Sequence, residues 1–253
     1  TLQRRSGYYG KTLYLDLHTL WIKGGANVKI LLGGTIDNSN TDKVLIRQVP
    51  GRKSNGAYDD WWLGEMIWIE SGSLEIGPQY DDQSKVRIAI ETQSDALNST
   101  TYGDQKSLIN LRSGATSFKA DQVDFNNFKT SAITCRADNL TSFEMTDCTF
   151  GKLKSDGTSD GVAYAGGQGG AIYIHNTADD NSTKVDITTM TLENVKFYKT
   201  QAKAGKAGAV FLRANSVGTL NVTGCTFDQT TATSHGGAMS LSDDDDAITI
   251  TNA

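Results

Sequence analysis

The sequence predicts an all-β fold wound as a solenoid, a parallel β-helix, and three observations carry that reading. The first is a repeated segment: FKADQVDF (118–125), FEMTDCTF (143–150), MTLENVKF (190–197) and LNVTGCTF (220–227) superimpose without gaps and end in Phe125, Phe150, Phe197 and Phe227. The second is an interleaved set, SAITC (131–135), GAIYI (170–174), GAVFL (208–212) and GAMSL (237–241). The third is composition: 26 Gly against 2 Pro in 253 residues, with Thr, Asn, Ser and Asp between short β-branched runs, reads as many strands joined by many turns.

Each element follows from these patterns. The runs are too short for helices and alternate with period two, so they are strands. Successive repeat phenylalanines lie 25, 47 and 30 residues apart. Units of that size cannot bury an apolar face alone, but stacked units bury a continuous column. In a parallel β-helix each strand pairs with its counterpart in the next coil, about 4.8 Å away, and like side chains stack. The four phenylalanines are therefore expected to form an inward ladder. Gly170, Gly208 and Gly237 stand where the chain turns into the second strand, where glycine accepts positive φ and lets adjacent coils approach.

Residues 106–253 are expected to be regular repeats. Residues 1–105 contain strand-like runs, TLYLDLHTLWI, VKILL, KVLIRQV, MIWIES and VRIAIE, without the Phe and Gly-Ala marks. They read as irregular coils of the same solenoid or as a cap, the former favoured because terminal repeats diverge. At the other end, Ile248 and Ile250 fall where Leu220 and Val222 sit in the preceding unit, so the array is expected to be cut within a repeat.

GGAIYI (169–174), AGAVFL (207–212) and GGAMSL (236–241), alternating with CTF (148–150, 225–227), resemble the repeats of chlamydial polymorphic outer-membrane proteins. The resemblance covers 118–253 and implies a right-handed β-helix of pectin-lyase-like architecture, acting in adhesion at the cell surface.

Several function classes are narrowed by composition. A net charge of −5 with no basic run argues against a nucleic-acid partner. No stretch approaches eighteen consecutive apolar residues, so no membrane-spanning segment is expected. TLQRRSGYYG lacks the apolar region of a secretion signal, and a mature or truncated start is expected. Three cysteines give no disulfide framework. Cys148 and Cys225 share a ladder position with the Val195 coil between them, too far apart for a disulfide, and are expected to be buried thiols; Cys135 is expected to pack inward. Asn98, Asn139, Asn181 and Asn221 are candidate glycosylation acceptors.

Chemistry-bearing constellations are sparse. His18, His175 and His235 have no ligand spacing, no Cys-x-x-Cys occurs, and no metal or other cofactor is expected. Acidic runs at Asp81–Asp82, Asp179–Asp180 and Asp243–Asp246 lack the spacing of a calcium loop. NTADD (176–180) and SHGG (234–237) echo the acid and histidine motifs of pectin-degrading hydrolases. Ala178 breaks the first, no Arg-x-Lys follows the second, and His235 aligns with Gln168 and Lys206, which makes it a corner residue. Glycoside cleavage needs paired carboxylates, and a polysaccharide-degrading enzyme is kept as the alternative.

The candidate binding residues are Trp61 and Trp62, one of which must point outward if the segment is extended, and Asp156, Asp160 and Tyr164 in an insertion between repeats. The two tryptophans read either as a platform for sugar or a partner chain, or as a cap over the solenoid. The resulting expectation is a non-enzymatic extracellular protein, a cell-surface adhesin or a subunit of a surface filament or coat. Its expected partners are further copies of itself, other surface proteins and glycans.

Overall fold

Strands that alternate apolar and polar residues bury one face only when another layer covers it; here the sheets of each coil cover one another, while the next turn of the chain pairs with each strand edge to edge. The computed structural model describes residues 13–17, 20–32, 43–48, 65–79, 87–92, 107–128, 130–151, 163–165, 169–175, 186–202, 205–213, 216–241 and 250–251. Among them there is no helix, and every strand pairing is parallel.

Three sheets result. The first holds seven strands in chain order: Leu13–Leu17, Lys43–Gln48, Arg87–Thr92, Val123–Asn126, Thr149–Phe150, Lys196–Tyr198 and Thr226–Asp228. The second has twelve strands arranged as two faces. One face runs through Leu20–Ile22, the start of Ile67–Pro78, the start of Ile109–Asp121, Ile133–Cys135, Ile172–Ile174, Val210–Leu212 and Met239–Leu241. The other runs through Ala26–Leu32, the later parts of the same two long strands, Leu140–Thr146, Ile187–Glu193, Val217–Thr223 and Ile250–Thr251. A small third sheet pairs Ala163–Ala165, Thr200–Ala202 and Thr231–Ala232. The chain visits the first sheet, the first face and the second face in that order and then returns to the first sheet. These stacked parallel coils are consistent with a β-solenoid.

The register of the repeats is the one their alignment predicts. Phe118, Phe143, Met190 and Leu220 pair in succession, as do Phe125, Phe150, Phe197 and Phe227. Successive rings of the second column lie 4.7, 5.0 and 4.9 Å apart and within 12° of parallel. Above Phe125 the column continues in aliphatic residues, through Ile90 and Ile46 to the position of Leu15. Ile133, Ile172 and Val210 form a parallel column on the first face.

Corners are set by single residues in the left-handed region. Gln122, Asp147, Asn194 and Gly224 turn the chain from the second face into the first sheet, with φ of 53°, 50°, 54° and 63°. Asparagine and aspartate tolerate this conformation better than other residues with a Cβ, which accounts for two of the four. Before the first face the corner falls on Gly169, Ala207 and Gly236. The glycines that follow serve close approach instead: a Cβ on Gly170 would overlap the carbonyl oxygen of Gly208, and one on Gly208 that of Gly237.

Two expectations are corrected. Ile250 pairs with Leu220, not with Val222; the offset is two residues, which leaves the inward and outward sets unchanged. Cys135 and Cys148 are buried thiols, but Cys225 is only half-buried. It shares the last described coil with Phe227, also half-buried, and no described strand pairs with the far edge of Thr226–Asp228. Desolvation pushes the Cys135 thiol up to about 12, opposed by the Ala137 N–H and reinforced by the carboxylates of Asp186 and Asp138.

Candidate binding face

Period-two alternation on the first face sends the flanking residues of each three-residue motif inward and points the middle one away from the interior, although Asn110 and Phe211 are covered there by their neighbours. The register stacks these middle residues as Trp21, Trp68, Asn110, Thr134, Tyr173, Phe211 and Ser240. The indoles of Trp21 and Trp68 stack at 5.1 Å and 10°. Trp21 is 49% exposed, the one exposed large apolar side chain among the described residues. Tyr173 packs on Phe211 with ring centres 5.5 Å apart, and Phe211 is buried there at 2% exposure.

Beside this ladder runs a second column. Two residues on from each middle position stand Lys23, Glu70, Arg112, Arg136, His175 and Arg213. Backbone hydrogen bonds fix their order: the N–H of Arg136 donates to Leu111, that of His175 to Cys135 and that of Arg213 to Ile174. The two columns touch. Lys23 Nζ lies 4.5 Å from the centre of the Trp21 ring, and the Arg112 guanidinium lies 5.3 Å from that of Trp68. The His175 ring meets Tyr173 edge-on at 5.5 Å. Partial burial raises the Tyr173 hydroxyl above its usual range, and the charges of Arg213 and Arg136 pull it the other way.

Around Arg112 the column is braced from within. Glu65, nearly buried, accepts from Asn110 Nδ2 at 2.8 Å and pairs with Arg112 at 3.5 Å. Trp68 Nε1, Asn110 Oδ1 and Arg112 Nε are buried there without a hydrogen-bond partner. Such orphans cost about 1–3 kcal/mol each.

The residues singled out from sequence fare unevenly. Trp61, Trp62, Asp156 and Asp160 lie outside the described residues, as do Asn98, Asn181, His18 and the three acidic runs. Tyr164 stands opposite Gln201 in the small sheet. Asn139 is exposed at a corner, and Asn221 is half-buried, its Nδ2 donating to Thr191 Oγ1 at 3.4 Å. His235 is an exposed corner residue whose carbonyl accepts from Ala207, as the Lys206 carbonyl accepts from Gly169 one coil earlier. Gly170, Gly208 and Gly237 line up at the coil-to-coil approach described above, although a Cβ on Gly237 would meet only Thr230 O, at 3.4 Å.

Sequence reasoning missed the outward ladder and its cations, though the signal was present. In ITCR, IYIH and VFLR the aligned repeats already place Thr134, Tyr173 and Phe211 in one column and Arg136, His175 and Arg213 in the next. Attention to the inward positions hid them. No described group of three or more His, Cys, Asp or Glu side chains is arranged to hold a metal ion.

The chain matches no protein-family model, and no curated protein or solved structure is significantly similar to it.

Proposed function

We propose that this chain is part of a non-enzymatic, extracellular, right-handed parallel β-helix of pectin-lyase-like architecture that adheres at the cell surface through the outer side of its first face. The observation that carries the reading is the double column of aromatic and basic side chains on one face, which share three levels, Trp21 with Lys23, Tyr173 with His175 and Phe211 with Arg213. A rigid solenoid presents such columns as a flat, preformed strip, which lowers the ordering cost of binding an extended partner. Right-handedness rests on a general rule, since a crossover returning to a parallel strand of the same sheet is overwhelmingly right-handed. His235 at an exposed corner, at the level of Lys206 in the preceding coil, supports a non-catalytic role.

The test is adhesion of the purified chain to cell surfaces and to a panel of immobilised glycans, compared with Trp21→Ala and Tyr173→Ala. The expected result is saturable binding that both variants weaken while their β-type circular dichroism is unchanged. Release of fragments from a soluble polysaccharide, abolished by His235→Ala, would replace this reading with the hydrolase.

A further inference from the structure

The two outer faces of the twelve-stranded sheet treat charge in opposite ways. On the second face the outward column reads Lys29, Glu75, Lys119, Glu144, Thr191, Asn221. Charges alternate in sign there, and Lys29 and Glu75 form an ion pair at 2.6 Å. Such a column neutralises itself, as cross-strand pairs in a stable sheet do. On the first face, Arg112 is followed on the next three coils by Arg136, His175 and Arg213, each one residue past its strand, with no acid between them in the column and with Glu65 pairing with Arg112 from beside it. This gathering of three guanidinium groups and an imidazole is a local excess of basic side chains. It also sits on a chain whose net charge is −5.

We infer that the first face binds an acidic polysaccharide, its carboxylates or sulfates seated along Arg112, Arg136, His175 and Arg213 and its chain running along the ring edges of the ladder from Trp68 to Tyr173. This rests on the adhesive reading above and names its ligand class. Guanidinium groups suit the planar, bidentate recognition of carboxylate and the similar oxygen geometry of sulfate. The stacked indoles cover each other's faces, and ring edges carry the positive end of the aromatic quadrupole, which also favours anions. Thr134, partly exposed, stands between the aromatic pairs at the ladder's middle levels, a polar group of the kind that hydroxyls pair with.

A polysaccharide fits better than a nucleic acid. Single-stranded nucleic-acid sites offer open ring faces on which successive bases stack, within a continuous basic groove. Here the ring faces are taken up by neighbouring rings and cations, Glu65 and Glu70 interrupt the basic strip at its upper end, and Asp138 and Asp186 lie near the following corner.

The experiment measures binding of the intact chain to heparin, polygalacturonate, neutral dextran and oligo-dT over a range of salt concentrations. Arg136→Glu changes an exposed side chain in the cationic column, and Lys119→Glu makes the same charge change on the alternating face. The expected result is salt-sensitive binding to at least one of the two acidic polysaccharides, none to dextran, and a loss of about tenfold or more in Arg136→Glu. Lys119→Glu should stay within about twofold of the parent. Equal losses in both variants, no loss in Arg136→Glu, or tighter binding to oligo-dT overturns the inference. Cell adhesion that persists undiminished in excess acidic polysaccharide overturns the ligand class and leaves the adhesive reading standing; absence of adhesion to any cell or glycan overturns both.

Discussion

One interior column runs through two chemically different halves of the molecule. From Phe125 to Phe227 it is a stack of parallel phenyl rings, while above Phe125 the same position is filled by Ile90 and Ile46. Ile46, Ile90, Phe125, Phe150 and Phe197 are all buried to 2% or less. The backbone register continues without a break across the change. A coil therefore asks only for a large apolar side chain at that level, and the ring is one way to meet the demand. What the rings add is stacked contact between neighbours, worth about 0.5–1.5 kcal/mol per pair beyond the area buried.

That comparison can be broken most severely at its aromatic centre. Phe150 lies between Phe125 and Phe197 and meets Phe128 edge-on at 6.4 Å. Phe150→Ala is expected to cost about 4 kcal/mol in denaturant unfolding, and Ile90→Ala about 3 kcal/mol, both through a cavity that rigid neighbouring coils cannot close. The coil spacing common to both halves is the next target. Gly208→Ala should cost about 3 kcal/mol because its methyl meets backbone of the following coil, whereas Gly237→Ala should cost under about 1 kcal/mol. Equal effects at the two glycines would mean that the coils do not approach as described.

Smaller changes sharpen the contrast. Phe150→Leu turns one aromatic level into an aliphatic one and is expected to cost about 1–2 kcal/mol, far less than the alanine variant. Cys135 gives a pH readout of the same dry interior. Its folded pKa, about 12, lies above the ordinary 9.0, so the burial of the neutral thiol supports the fold fully below pH 9. That support is lost as pH rises from 9 toward 12. The melting temperature of the parent should fall more steeply across that window than that of Cys135→Ala.

Much of this architecture was legible in the sequence because the lower coils repeat their solution. Phenylalanine at a fixed offset from Val or Cys, and Gly-Ala ahead of three alternating residues, gave the strands, their parallel pairing and their register from Phe118 to Leu241. The upper coils meet the same spatial demands with isoleucine and leucine, which are too common to announce a period. Corner chemistry was harder still. Gln122, Asp147, Asn194 and Gly224 share one backbone conformation without sharing a residue type, and Ala207 occupies a corner where its neighbouring coils use glycine. The candidate site was legible only in its lower levels, in ITCR, IYIH and VFLR, whereas Trp21 and Trp68 are brought to the same face by a register that crosses much of the chain.

The central claim is that both halves belong to a single stack that advances one strand spacing per coil. Spin labels test it directly, with one label fixed at Lys29 and the second placed in turn at Glu144, Thr191 and Asn221, outward positions three, four and five coils further along the second face. A continuous stack predicts narrow distance distributions that lengthen by about 4.8 Å at each move, reaching about 24 Å between Lys29 and Asn221. Distances that fail to lengthen in that order, or that scatter broadly because the upper coils do not ride on the lower ones, would contradict it.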